Sequence, residues 1–231
     1  MADLKSRKHL FFDLDDTLWD FEKNSSLVLQ ELFLEFALEE KIKTDFSEFF
    51  SVYKTINHGL WADYRNKQID KEFLRNNRFD LAFRAFDHHN RSESLQLNEQ
   101  YLLRAPKGKL LKEGCLDVLQ YLQKKYTLHI ITNGFKEVQQ VKIDGTGLRQ
   151  FFSHIIISEE HGSTKPDKKI FTLAETLAGA TKEDCVMIGD NFECDILGAA
   201  DAGWESIYFS ETAHDFKGNA IGSLQELKNF F

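Results

Sequence analysis

The stretch HLFFDLDDTL at residues 9–18 joins a short apolar run to three carboxylates. An apolar run of this length is typical of a strand that is buried in a parallel sheet. Asp13, Asp15 and Asp16 would repel one another at the end of that strand unless a cation or a proton compensated their charge. An aspartate-rich turn explains these residues as well as a site does. If these residues form a site, Asp13 is a carboxylate nucleophile, and Asp15 is a general acid and base on the same side.

The rest of the chain predicts an alternation of strands and helices. Short runs rich in Ile, Val and Phe predict strands at residues 9–13, 127–132, 153–158, 185–189 and 206–209. Helical periodicity accompanies the later strands, at residues 113–125, 168–178 and 194–202. This alternation predicts an α/β fold with a doubly wound parallel sheet.

One long interval after the first strand departs from this alternation. Residues 19–105 show no strand pattern but carry helical periodicity at residues 25–40, 45–66 and 70–88. Nearly ninety residues without a strand cannot be a loop of a compact domain. We therefore predict two domains, an α/β core formed by residues 1–18 and 106–231 and an inserted all-helical domain at residues 19–105. A linker at residues 104–108 would lead back to the core.

The composition excludes several classes of protein. With 29 Lys and Arg against 37 Asp and Glu, the formal net charge is −8, which disfavours polynucleotides and anionic membranes as partners. The three cysteines lack the spacing of a zinc site or a disulfide framework. No stretch approaches the ~20 apolar residues of a membrane span. We expect a soluble cytoplasmic protein without a polynucleotide or membrane partner; its oligomeric state stays open.

Polar residues follow the other predicted strands as well. Ligands of open α/β sheets bind at the carboxyl ends of the strands, so these residues are candidates for a site. Thr132, Asn133 and Gly134 end the second strand with a hydroxyl and backbone N–H groups that could cradle an anion. A helix N-cap with a turn glycine explains the same residues, and on this stretch it is the simpler interpretation.

The third predicted strand is followed by a lysine, and the fourth by further carboxylates. Lys165 precedes Pro166, which restricts its backbone and directs an ammonium that could neutralise a phosphate or the aspartates. Asp190 and Asp195 offer hard oxygen ligands of the kind that Mg²⁺ takes. A solvated lysine and a capped helix explain each stretch separately. Four strand ends with such groups in one chain favour a single site.

The order of these motifs resembles the haloacid dehalogenase (HAD) superfamily. The matching stretches are DLDDT at 13–17, TNG at 132–134, KP at 165–166 and GDNxxxD at 189–195, and the likeness spans nearly the whole chain. The resemblance implies a Mg²⁺-dependent phosphomonoester hydrolase that forms an aspartyl phosphate, with Mn²⁺ as a substitute metal. It also implies that the helical insertion is the family's cap, which selects the substrate.

The resemblance assigns a role to each motif residue. Asp13 would attack phosphorus, and Asp15 would protonate the leaving group and then activate water. The metal would be held by Asp13, the backbone carbonyl of Asp15 and Asp190. The implied phosphate ligands are Thr132, Asn133, Gly134 and Lys165. Asp195 would orient Lys165 or a metal-bound water.

Longer stretches resemble the pyrimidine 5′-nucleotidase subgroup of this superfamily. They are FFDLDDTLWDF at 11–21, ITNGF at 131–135 and ISEEHGSTKPDKKIF at 157–171. The likeness implies dUMP, dTMP and related pyrimidine monophosphates as substrates. In the insertion, INHGLWADY at 56–64 also resembles the subgroup, which makes Asn57, Trp61 and Tyr64 candidate substrate contacts. Aromatic residues at helical spacing would equally well be core residues.

Other activities of the same superfamily remain alternatives. A phosphosugar phosphatase or mutase keeps Asp15 and differs in the cap, so the motifs exclude it less firmly. A haloacid dehalogenase needs no acid for its halide, so Asp15 argues against one. In the insertion, Arg78 could face the substrate or a carboxylate of the cap, and we predict the carboxylate.

Overall fold

The computed structural model describes residues 4–210 and 216–231. The chain divides into two compact units, one formed by Met1–Phe21 and Lys109–Phe231 and the other by Glu22–Gly108. Among the described residues, no helix combines the length and the apolar character needed to cross a bilayer.

A parallel sheet forms the centre of the first unit. Its strands are β1 (His9–Phe12), β2 (Thr127–Thr132), β3 (His154–Ile157), β4 (Cys185–Gly189), β5 (Glu205–Phe209) and β6 (Ala220–Ile221). They lie in the order β3-β2-β1-β4-β5-β6, and each neighbouring pair is parallel. The predicted α/β class is confirmed. The sixth strand was not predicted, because two residues are too few to show a strand pattern.

Apolar side chains cover both faces of this sheet. Leu10 and Phe12 of β1 belong to one buried cluster, and Phe11 between them belongs to another, because successive side chains of a strand point to opposite faces. The carboxyl ends of the strands are thereby held by a core on each side. The polar residues that follow the strands lie at these ends.

Helices of the first unit follow the strands. Excluding α1 (Phe21–Glu35), which leads into the second unit, they are α6 (Cys115–Leu122), α7 (Lys136–Gly145), α8 (Ser158–His161), α9 (Lys168–Ala178), α10 (Gly198–Ala202) and α11 (Leu227–Phe230). A π-helix at Phe192–Leu197 precedes α10. The single helix predicted at residues 194–202 is therefore two elements, a π-helical turn and then an α-helix.

All secondary-structure elements of the second unit are helices. After α1 it contains α2 (Leu38–Ile42), α3 (Phe46–Arg65), α4 (Lys71–Arg84) and α5 (Arg91–Arg104). Asp45, Asp70 and Asn90 cap the last three by accepting backbone N–H bonds. The periodicity did not predict α5, whose sequence RSESLQLNEQYLLR is mostly polar.

Aromatic rings build the core of this helical unit. Tyr53 stacks on Phe79 with ring centroids 5.0 Å apart. Arg78 is buried and donates to Asn98 Oδ1 at 3.0 and 2.9 Å, with its guanidinium 4.7 Å from the Tyr101 ring. The predicted carboxylate partner of Arg78 is therefore wrong. An amide oxygen and the face of a ring hold this cation instead.

Three histidines stack across β1, β2 and β3 in the first unit. The ring of His129, which is fully buried, lies 5.3 Å from His9 and 5.4 Å from His154. Burial, with a smaller contribution from the two neighbouring histidines, lowers the pKa of His129 to about 3. Folding therefore holds this imidazole neutral at a pH where the unfolded chain would protonate it.

Because of His129, we expect the free energy of unfolding to decrease at acidic pH. Between pH 6.5 and 3 the unfolded state binds a proton at His129 that the folded state does not, so unfolding becomes easier as the pH decreases. From pH 7.5 to 5 we expect the wild type to lose ~2 kcal/mol more stability than His129→Phe, from ~1.4 kcal/mol per pH unit below 6.5. Urea denaturation at both pH values measures this difference. His161→Phe, at an exposed site of the same unit, is the control. Equal pH dependence of wild type and His129→Phe would contradict the prediction.

Candidate active site

The carboxyl end of the sheet brings the predicted site residues of the first unit together. They are Asp13 after β1, Thr132 at the end of β2, Lys165 between α8 and α9, and Asp190 after β4. The backbone N–H of Asp13 donates to Ile188 of β4 at 2.9 Å, which prolongs the sheet pairing as far as the carboxylate.

Lys165 lies between two of these carboxylates. Its side chain is buried, and Nζ donates to Oδ1 of Asp13 and to Oδ1 of Asp195, each at 2.6 Å. Burial by itself would lower the pKa of Lys165, but the charges of Asp13 and Asp195 outweigh it and hold this pKa above its usual value. The lysine is therefore a fixed cation against one oxygen of Asp13.

The side chain of Asn133 holds the backbone of Lys165 in place. Its Nδ2 donates to the Lys165 carbonyl oxygen at 2.8 Å, and its Oδ1 accepts from the Lys165 N–H at 2.8 Å. Ser158, at the start of α8, donates to the same Oδ1 at 2.8 Å. Asn133 thus ties the end of β2 to the loop of the lysine, a role that the motif alone did not indicate.

Asp190 is fixed by a residue of the first motif. Thr17, which is fully buried, donates its hydroxyl to Asp190 Oδ1 at 2.9 Å and accepts the Asp190 backbone N–H at 3.0 Å. Oδ2 of Asp195 accepts the N–H of Asn191 at 3.0 Å. A Cβ on Gly189 would lie 2.2 Å from that Oδ2, so glycine is the residue that leaves room for Asp195.

Three carboxylates crowd together around this lysine. One oxygen each of Asp13, Asp190 and Asp195 lies within 4.8 Å of the other two. Burial first, and then the neighbouring carboxylates, raise the pKa of Asp13 well above its usual value, although Lys165 opposes the shift. Burial, with Asp195 and Asp16, raises the pKa of Asp190 to about 7. The arrangement carries more negative charge than Lys165 compensates.

This donor set fits a divalent cation. Carboxylate oxygens are the ligands of Mg²⁺ and Mn²⁺, and a cation between Asp13 and Asp190 would relieve their repulsion. Asp195 already uses one oxygen for Lys165 and the other for Asn191. The side chain of Asp15 is not a member of the crowded group. This placement is compatible with the prediction that Asp15 offers its backbone carbonyl to a metal.

The carboxylate of Asp15 is held from α7. Gln139 Nε2 donates to its Oδ2 at 2.9 Å, and Lys142 Nζ donates to its Oδ1 at 2.6 Å. Gln139 also donates to the hydroxyl of Thr132 at 2.6 Å, and the Gly134 N–H reaches the same hydroxyl at 3.3 Å. Sequence reasoning missed both α7 residues, because single polar residues within a helical pattern are usually solvated.

The candidate substrate residues of the helical unit share one face of α3. Asn57, Trp61 and Tyr64 are spaced by four and three residues, which places them on one side of a helix. Asn57 is buried, and its Oδ1 has no hydrogen-bond partner, while Trp61 and Tyr64 are half-buried, with their rings edge to face at 5.7 Å. An unpaired buried amide oxygen is costly, which makes it a candidate acceptor for a ligand.

Comparisons with known proteins agree on one family. The family model of haloacid dehalogenase-like hydrolases matches residues 7–203. The pyrimidine 5′-nucleotidase YjjG of Escherichia coli is 33% identical over 95% of this chain and 95% of its own. The pyrimidine 5′-nucleotidase PynA of Streptococcus pneumoniae is 33% identical over 88% of this chain and 84% of its own. A crystal structure of the HAD-hydrolase YfnB from Bacillus subtilis, bound to magnesium, is 28% identical, with a TM-score of 0.86 over 96% of this chain and 97% of that one.

Proposed function

The chain belongs to the haloacid dehalogenase-like hydrolase family, and we propose that it hydrolyses pyrimidine nucleoside 5′-monophosphates through an aspartyl phosphate on Asp13. The observation that carries the proposal is the buried Lys165, whose ammonium lies 2.6 Å from Oδ1 of Asp13. A cation fixed on one oxygen of a strand-end carboxylate supports attack by that carboxylate on a phosphate dianion, because it reduces the repulsion between the two anions.

In the first step, a carboxylate oxygen of Asp13 forms a bond to phosphorus as the bond to the leaving oxygen breaks. The electron pair of that bond goes to the leaving alkoxide, which takes a proton from Asp15. In the second step, Asp15 takes a proton from water, whose oxygen bonds to phosphorus and releases the Asp13 carboxylate. Asp13 and Asp15 return to their starting states, and the net reaction is hydrolysis of the phosphomonoester.

The phosphate oxygens would be held by the residues at the end of β2 and by Lys165. The Thr132 hydroxyl accepts from Gln139 and Gly134, which uses its two acceptor positions and leaves its proton to donate to a phosphate oxygen. The backbone N–H groups of Asn133 and Gly134 and the ammonium of Lys165 would supply the other donors. These groups act where the charge of phosphoryl transfer is spread.

We propose Mg²⁺ as the cofactor, held by Asp13, Asp190 and the backbone carbonyl of Asp15, with Mn²⁺ as a substitute. When bound, it would supply positive charge for the transferring phosphoryl group. Asp195 then has the role of orienting Lys165, because both of its oxygens are engaged by that lysine and by Asn191.

The relatives and α3 support the proposed substrate class. YjjG and PynA are named pyrimidine 5′-nucleotidases, and Asn57, Trp61 and Tyr64 offer an amide and two aromatic rings of the kind that bind a flat base. The net charge of −8 favours a mononucleotide over a polynucleotide. A cytoplasmic location fits such a substrate.

A phosphate-release screen tests the proposal. Purified protein with Mg²⁺ is assayed against pyrimidine and purine nucleoside 5′-monophosphates and against phosphosugars, and we expect dUMP and dTMP to give the highest kcat/KM. Phosphosugars at the top of the screen would overturn the nucleotidase assignment and favour a phosphosugar phosphatase. Release of halide from a haloacid without phosphatase activity would overturn the phosphatase assignment itself.

Trp61 provides a separate prediction about base recognition. If its indole stacks on the base, Trp61→Ala should lower kcat/KM for dUMP by ~1–3 kcal/mol, or ~5–150-fold. Trp61→Phe, which keeps a stacking ring, should lose less. Activity on p-nitrophenyl phosphate, which has no base, should change little, and steady-state kinetics on both substrates measure the difference. An equal loss on both would show that Trp61 serves only in packing.

A further inference from the structure

Two side chains of one helix hold the carboxylate of Asp15. Gln139 donates to one of its oxygens and Lys142 to the other, at 2.9 and 2.6 Å. The two residues are three positions apart in α7, so they project from the same face. Gln139 is fully buried and Lys142 is 4% exposed, although both residue types are usually solvated. Their burial therefore needs an explanation in the site.

The surroundings of Lys142 stabilise the charge of its own ammonium group. Its ammonium lies 4.3 Å from the ring centroid of Trp19 and 5.5 Å from that of Phe21, and aromatic faces attract a cation. Trp19 forms a backbone bridge with Asp15, so the same turn supplies both the carboxylate and a ring. Asp15, Trp19 and Phe21 together compensate for the loss of water around this lysine.

Gln139 connects Asp15 to the phosphate-binding end of β2. Its Nε2 donates to Asp15 Oδ2 and also to Thr132 Oγ1, the second at 2.6 Å. A Cβ on Gly134 would lie 2.3 Å from Gln139 Cδ. Only a glycine at position 134 therefore leaves room for the Gln139 side-chain amide. The carboxylate of Asp15 and the hydroxyl of Thr132 are therefore aligned by a single buried group.

We propose that Gln139 and Lys142 are positioning residues that fix the carboxyl group of Asp15 for proton exchange with the leaving oxygen of the substrate. This inference rests on the proposed function, in which Asp15 is the general acid. A carboxylate has about four lone-pair positions, so two accepted bonds leave room for the proton that it gives to the alkoxide. Bonds to both oxygens fix the rotation of the group, and proton transfer needs a heavy-atom separation of ~2.6–3.2 Å.

The leaving group separates this role from a purely structural one. A nucleoside 5′-alkoxide is a strong base and must be protonated as it departs, whereas p-nitrophenolate departs with much less help. Displacement of Asp15 should therefore slow the first step, transfer of the phosphoryl group to Asp13, far more with dUMP than with p-nitrophenyl phosphate. Hydrolysis of the aspartyl phosphate is the same for both substrates, so the comparison uses kcat/KM, which depends only on the steps up to release of the alcohol. A defect in folding, in Asp13 or in phosphate binding would slow both reactions alike.

The experiment compares Gln139→Leu and Lys142→Met with the wild type on both substrates. Because general acid catalysis contributes ~10²–10⁴-fold, we expect kcat/KM for dUMP to fall by ~10–100-fold. For Lys142→Met we expect less than ~3-fold loss of kcat/KM on p-nitrophenyl phosphate, which also shows that this variant is folded. Gln139→Leu also removes a donor to Thr132, so it should slow both substrates, and dUMP the more. Lys142→Arg should recover part of the dUMP rate, because it restores a cation that donates to the carboxylate.

Matched controls come from the same helix. Lys136 is an exposed lysine of α7 that pairs with Glu160 at 2.7 Å, and Gln140 is a half-buried neighbour of Gln139. Lys136→Met and Gln140→Leu make the same chemical changes away from Asp15. Both should keep wild-type rates on the two substrates.

Asp15→Asn in the same assay distinguishes the failure of this inference from the failure of the proposed function. If Asp15→Asn lowers kcat/KM much more for dUMP than for p-nitrophenyl phosphate and neither α7 variant does, the positioning role is overturned and Asp15 remains the acid. If Asp15→Asn shows no such difference, the acid assignment and the positioning role are both overturned. Equal losses of the α7 variants on the two substrates would also overturn the inference.

Discussion

Asp13→Asn is expected to abolish phosphate release from dUMP. The amide cannot form the aspartyl phosphate, and loss of a nucleophile lowers kcat by roughly 10⁴-fold or more. Steady-state phosphate release measures the change. Residual activity above about 1% of the wild type would contradict a mechanism in which Asp13 is the nucleophile.

The Tm of Asp13→Asn distinguishes loss of the nucleophile from loss of the folded structure. Burial and the neighbouring carboxylates raise the pKa of Asp13, so its ionised form opposes folding at neutral pH. An amide removes this repulsion and still accepts from Lys165, and we expect Tm to be at least that of the wild type. Asp16→Asn is the matched control: Asp16 belongs to the same turn, and its carboxylate lies 3.4 Å from Lys112. It should keep activity.

Removal of divalent cations is expected to have an effect of similar size. EDTA should abolish activity, and Mg²⁺ or Mn²⁺ should restore it, because Asp13 and Asp190 form an oxygen donor set. Asp190→Asn should raise the Mg²⁺ concentration for half-maximal rate. Thr17→Val, which removes the hydroxyl that holds Asp190, should raise it by ~10–100-fold, as loss of an outer partner of a metal ligand does.

Asp195 provides the comparison for this metal prediction. Both of its oxygens are engaged, by Lys165 and by Asn191, so Asp195→Asn should lower kcat with a smaller change in the Mg²⁺ requirement. Activity titrated with Mg²⁺ after removal of metal measures all three variants. Full activity of the wild type in EDTA would contradict the proposed cofactor.

The residues at the strand ends could be predicted from sequence because each follows a buried apolar run. The position of Asp13 after β1 and of Asp190 after β4 is set by the parallel pairing of these strands, which any doubly wound sheet imposes. A strand pattern and the residue that follows it are local features. The fold class and the proximity of these two carboxylates could therefore be predicted without knowledge of any distant contact.

Gln139 and Lys142 could not be predicted in the same way. Their partners include residues at or just after the first motif, more than a hundred positions away in the chain: Asp15 for both, and Trp19 and Phe21 for Lys142. The opposite difficulty hid α5, where only a few residues such as Leu97 and Tyr101 are buried and the apolar periodicity is weak. Arg78 was predicted to pair with a carboxylate, because charge alone does not distinguish an acid from an amide and a ring.

The central claim is that Asp13 carries the phosphoryl group of a pyrimidine nucleotide during turnover. Asp15→Asn should slow hydrolysis of the intermediate, and borohydride reduces an aspartyl phosphate to homoserine. The most direct measurement mixes this variant with dUMP and Mg²⁺, reduces the mixture and sequences the peptide that contains residue 13 by mass spectrometry. We predict homoserine at position 13 that requires dUMP and is missing from a variant that also carries Asp13→Asn. Phosphate release from dUMP with an unmodified Asp13, or with the modification at another residue, would contradict the account.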